Sequence, residues 1–106
     1  MINNVEKMKK FLGELEKENI IFKPHFYHKI KDRPYLDEQL IIESLKNVDS
    51  LLGFQKQISE DNEKYRIGIK LSGNYDLVII AEIKDKNLYI ITAWKTSRKW
   101  QKSIQK

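Results

Sequence analysis

Three blocks of hydrophobic patterning divide the chain. In the first, Val5, Met8, Leu12 and Leu15 recur at helical spacing while Lys and Glu fill the opposite face, the pattern of a helix with one buried stripe. Asn3 and Asn4 stand ahead of it as N-caps and Asn19 behind it as a stop, which predicts a helix over about residues 4–18. The apolar triplet Ile20, Ile21, Phe22 then makes a buried connector or a short strand.

The second block is punctuated by proline. Pro24 suits the first position of a short helix, and Pro34 disfavours helical backbone at Arg33, so residues 24–32 are bounded on both sides. Alternation in this stretch is also compatible with a strand, and helix is the preferred reading. Asp37 caps a further helix over about residues 38–47, with Leu40, Ile41, Ser44, Leu45 and Val48 as its inward stripe.

In the third block the period changes to two. Leu52, Phe54 and Ile58 alternate on one strand; Tyr65, Ile67, Ile69 and Leu71 alternate on the next and leave Arg66, Gly68, Lys70 and Ser72 on its other face. Residues 75–83 are apolar on both faces, as a central strand requires, and Asp85, Lys86 and Asn87 turn the chain into residues 88–94. The predicted architecture is α+β: two or three N-terminal helices packed on one face of a four-stranded antiparallel β-meander, with a short C-terminal helix. Residues 1–22 supply the first helix and connector, 23–48 a helical pair, 51–95 the sheet and 96–106 a basic terminal segment.

A chain of 106 residues supports one domain with one core. Twenty Lys and Arg against 15 Asp and Glu give a net charge of +5, which favours acidic partners such as nucleic acid. The absence of cysteine excludes disulfides, thiolate zinc sites and a cysteine nucleophile. The N-terminal stretch mixes charges with apolar residues throughout, so neither a signal peptide nor a membrane span is expected and a cytoplasmic location is the default.

Positive charge concentrates at the end of the chain. Residues 95–106 carry five Lys or Arg, three hydroxyls and Trp100, with no carboxylate among them. Such a run is either a solvated helix end suited to the negative pole of a helix dipole or a contact for phosphate. Elsewhere, His25 and His28 lie three apart with no second group of ligands at metal spacing, so no metal and no cofactor is expected. Most of the carboxylates fall in exposed helical positions or turns, which disfavours a metal-dependent nuclease. Glycine-rich phosphate loops and nucleophile elbows are missing.

What remains is a system of histidine and cations. His25, Lys29 and Arg33 are spaced so that a continuous helix would set them in a row. A histidine titrating near neutrality moves a proton, while Lys and Arg hold a phosphate and stabilise extra charge on it. Arg66 and Lys70 project from the non-core face of their strand, and Lys95, Thr96, Ser97 and Arg98 follow the last strand. Packed side by side these would line a positive cleft; the plainer alternative is that His25 is a half-exposed side chain on an amphipathic helix.

The run His25, Lys29, Arg33, Pro34, followed by the capped helix DEQLIIESLKN, a strand hairpin and the closing ITAWKTSRK, resembles the barnase-EndoU-colicin-RelE group of small nucleases and toxins, in particular its phage-associated members. The resemblance runs from Ile20 onward. It implies metal-independent cleavage of RNA, or a toxin-like role with a protein antidote, an acidic protein being the partner such a basic chain would take. Carried over by position, it makes His25 the general base or acid and Arg33 a phosphate clamp. Thr96 and Ser97 become hydroxyl contacts at the scissile phosphate, and Lys95 and Arg98 supply charge. Trp94 stands where the group's closing motif has Tyr, and no Glu is placed as a partner acid. Two other functions fit the same residues: a non-catalytic nucleic-acid-binding module, with Trp94 or Trp100 stacking on bases, and a subunit that docks an acidic protein.

Overall fold

A computed structural model describes residues 2–33, 35–57 and 63–97. The first helix, α1, spans Val5–Glu14 and is opened by Asn4, whose side chain accepts a hydrogen bond from the Lys7 amide at 2.9 Å. It stops four residues short of the predicted end. Leu15 is already extended, and the Lys46 ammonium reaches back to the carbonyls of Leu12, Gly13 and Leu15, satisfying acceptors that further helical turns would otherwise have used. Asn19 therefore does not end α1. It closes a separate 3₁₀ turn, Lys17–Asn19, and its side chain donates to Asn87 at 2.9 Å.

Next come β1 (Ile20–Phe22), α2 (Pro24–Ile30) with proline in its first turn, and α3 (Glu38–Lys46), capped by the Asp37 carboxylate on the Leu40 amide at 2.7 Å. Four strands complete the described chain: β2 (Leu51–Gln57), β3 (Glu63–Lys70), β4 (Tyr75–Lys84) and β5 (Asn87–Ser97). β2 to β5 pair antiparallel in sequence order, and the full sheet order is β1-β5-β4-β3-β2. The expected four-stranded sheet thus has a fifth, parallel member. Ile20, Ile21 and Phe22 lie in register with Leu88, Tyr89 and Ile90, so the apolar triplet gains backbone partners from an edge that would otherwise be open. The C-terminal helix expected after the last strand, and Ile58 of the first meander strand, lie outside the described residues.

All three helices bury their apolar sides against one face of this sheet. Met8, Leu12 and Leu15 of the α1 region, Phe26 of α2, and Ile41 and Leu45 of α3 join Tyr65, Ile67, Ile69, Leu77, Ile79, Ala81, Leu88, Ile90 and Ala93 in one core. Two irregularities tune the pleat. Between Leu51 and Gly53 the register of β2 shifts, so Leu51 rather than the expected Leu52 turns inward, and Leu52 is left exposed. In β5, Ile91 is the extra residue between Ile90, opposite Ala81, and Thr92, opposite Ile80. These bulges set which later side chains face the helices.

Candidate nucleic-acid interface

The second sheet face carries none of the described helices. On β3 it presents Lys64, Arg66, Gly68 and Lys70; on β4, Asp76, Val78, Ile80 and Glu82; on β5, Tyr89, Thr92, Trp94 and Thr96, as cross-strand register requires. Val78 is 0% exposed yet stands apart from the helix-side core. Its register neighbours are Gly68 and Trp94, and the Arg66 guanidinium lies 5.6 Å from the centroid of the Trp94 ring. A cation over an indole face fixes both groups, so Arg66 is a positioned charge. Beside it Lys70 is exposed, in register with the buried Asp76, which is in turn opposite Thr96.

α2 flanks this face along the edge of β5. At its start the Lys23 amide bonds the Ile90 carbonyl at 2.9 Å, while the Lys23 ammonium lies 3.3 Å from Glu82 and over the ring of Tyr89. Past its end the Arg33 guanidinium donates to the Thr92 hydroxyl at 3.2 Å and to the Ala93 carbonyl at 3.1 Å. Both tethers end on helix-free-face residues or on the free edge of β5 that β1 is too short to cover. His25 and Lys29 are carried between these tethers and are exposed.

The row of three expected from spacing is interrupted. His25 and Lys29 belong to α2, but α2 ends at Ile30, and Arg33 lies in the following turn, because the residue before a proline is driven out of helical backbone. Arg33 closes the β5 edge, so a phosphate would have to share its guanidinium with Thr92 and Ala93. Strand alternation also parts the closing residues. Thr96 falls on the helix-free face opposite Asp76, whereas Lys95 and Ser97 fall on the other face, opposite Leu77 and Tyr75. Arg98 and Trp100 lie outside the described residues.

Lys95 has neighbours that composition did not single out. Its ammonium lies 5.0 Å from the ring centroid of Tyr35 and 4.6 Å from that of Tyr75. Tyr35 follows Arg33 by two residues, so the Arg33 tether brings it to β5; Tyr75 arrives by pairing with Ser97. Register alone could have suggested Tyr75, but the Tyr35 approach depends on a loop with no periodic signal. Asp76 was legible as a carboxylate opening an otherwise apolar strand.

Two tyrosines have their hydroxyls held in the protonated form. Tyr27 is raised above its usual range by its hydrogen bond to Glu38, with burial and the negative charge of Glu38 adding to it. Tyr65 is pushed up to about 12 by burial, by its 2.8 Å hydrogen bond to Glu63 and by that carboxylate's charge. Tyr65 belongs to the helix-side core. Among the described residues no group of three or more His, Cys, Asp or Glu could hold a metal ion, and no helix is long and apolar enough to cross a membrane. Comparison of the chain with protein-family models, curated proteins and solved structures yields no match.

Proposed function

We propose that the protein binds RNA on the helix-free face of its sheet and cleaves it without a metal ion, as a toxin-like endoribonuclease. The observation that carries this reading is the face itself: Arg66 against Trp94, with Lys70 and Thr96 on the same face, and α2, which carries the exposed His25 and Lys29, joined to β5 by Lys23 before it and Arg33 after it. Cations on a strand face, with Lys70 exposed and Arg66 set against an aromatic ring, suit a phosphodiester chain with unpaired bases.

In the reaction, His25 takes the proton of a ribose 2'-hydroxyl, and the 2'-oxygen attacks the adjacent phosphorus. The bond from phosphorus to the 5'-oxygen breaks, that oxygen accepts a proton from water, and a 2',3'-cyclic phosphate remains. Arg66 and Lys70 neutralise charge that builds on the phosphoryl oxygens. DNA has no 2'-hydroxyl and would be bound without being cut. The test is incubation of purified protein with single-stranded RNA in excess EDTA, with products separated by end-group chemistry. Cyclic phosphate ends that vanish in His25→Ala are expected; intact RNA, or cleavage unchanged in that variant, would overturn the catalytic assignment.

A second reading, RNA binding without cleavage, is favoured by one observation: Arg33 is already engaged with Thr92 and Ala93. Under that reading the same incubation leaves RNA intact while salt-dependent binding persists.

A further inference from the structure

Lys95 is flanked by two tyrosine rings that are each close to half exposed, Tyr35 at 47% and Tyr75 at 44%. Large apolar rings left in water beside a single ammonium are costly to maintain for packing alone, since neither closes the core. Tyr35 comes from the loop between α2 and α3, Tyr75 from the first position of β4 and Lys95 from β5. Three separate segments therefore converge on this one cluster. Lys95 precedes Thr96 directly, and the two point to opposite faces of the sheet. The cluster thus adjoins Thr96 along β5 and lies at the same end of the sheet, on its other face.

We infer that Tyr35, Tyr75 and Lys95 form a subsite for one unpaired nucleobase and its phosphate, at the end of the sheet where a single strand leaves the helix-free face. This rests on the RNA-binding reading and adds to it a requirement for single-stranded substrate. Tyrosine faces accept any base by stacking, because every base presents a π-surface. The ammonium already held against both rings is placed to meet the phosphate that accompanies such a base. A base within a duplex is stacked on its neighbours and cannot enter, so double-stranded RNA would engage only the cations.

The experiment is equilibrium binding of a fluorescently labelled 2'-O-methyl oligonucleotide, which cannot be cleaved by 2'-hydroxyl attack, across a series of salt concentrations. Tyr35→Leu and Tyr75→Leu should each weaken binding about five-fold or more, with the slope of affinity against salt unchanged. Tyr35→Phe and Tyr75→Phe, which keep the ring, should bind as the unaltered protein does. An oligonucleotide of the same length with abasic sites throughout should not distinguish the leucine variants from the parent. Leucine variants that bind as tightly as the parent, or that lose affinity equally for the abasic strand, would overturn the subsite while leaving RNA binding intact. If the unaltered protein binds no oligonucleotide, the RNA reading itself falls and the subsite with it.

Discussion

At the scale of single residues, the sheet assigns each charged or hydroxylated side chain to a face, and that assignment decides what it can do. Arg66 and Lys70 stand two apart on β3 and share the helix-free face. Replacing either with Ala is expected to reduce the salt dependence of RNA affinity by about one phosphate contact, read as the change in slope of log affinity against log salt. Arg66→Ala should also free the Trp94 ring it lies against and alter tryptophan fluorescence, whereas Lys70→Ala should not. Tyr65 supplies an independent check on packing. Its hydroxyl titrates near 10 when unfolded and about 12 when folded, so between those values the unfolded chain has lost a proton that the folded chain retains. Stability should therefore be intact below about pH 10 and fall as pH rises toward 12, by roughly 2–3 kcal/mol from this group. Chemical denaturation across that range, compared with Tyr65→Phe, should show a shallower decline in the variant. Alternation made the shared face of Arg66 and Lys70 legible in the sequence. It could equally have separated Thr96 from Lys95 and Ser97, but their shared hydroxyl and charge chemistry at the end of one strand masks that change of side.

At the scale of elements, caps and turns account for most of the boundaries. Asn4 and Asp37 were readable as N-caps because each precedes an apolar stripe, and Pro24 and Pro34 bounded α2 closely. The early end of α1 was not readable. It depends on Lys46, more than thirty residues along the chain, donating to three carbonyls at that end. Lys46→Met should keep the hydrocarbon stem, lose those bonds and cost about 1–3 kcal/mol in denaturant unfolding. The hairpin between β4 and β5 offers the opposite prospect. Asp85 and Lys86 have φ of 52° and 67°, left-handed values at both central positions of a tight turn, where Asn-Gly or Asp-Gly is favoured. Lys86→Gly should relieve that cost and raise stability by roughly 0.5–1 kcal/mol, seen as a higher thermal midpoint. The pairing of β1 with β5 escaped the sequence for another reason. Three apolar residues carry no period, and their partners lie almost seventy positions away, so nothing local distinguishes a short parallel strand from a buried connector.

At the scale of the whole molecule, one sheet separates the side packed against the described helices from a side that carries Arg66, Lys70, Trp94 and Thr96. The net charge of +5 was visible from composition, but charge alone does not say which surface carries function. The fold divides the surface by putting the buried residues of the described helices on one face and Arg66, Lys70, Trp94 and Thr96 on the other. Cleavage and base recognition, as proposed, both depend on RNA binding at that second face. The most direct measurement is a titration of the isotopically labelled protein with a short 2'-O-methyl oligonucleotide, following every backbone amide by two-dimensional NMR. The largest shifts should fall on β3, β4 and β5 around Arg66, Lys70, Trp94 and Thr96, and extend to α2, while α1 and α3 stay still. Shifts centred on α1 and α3, or none at saturating oligonucleotide, would contradict it.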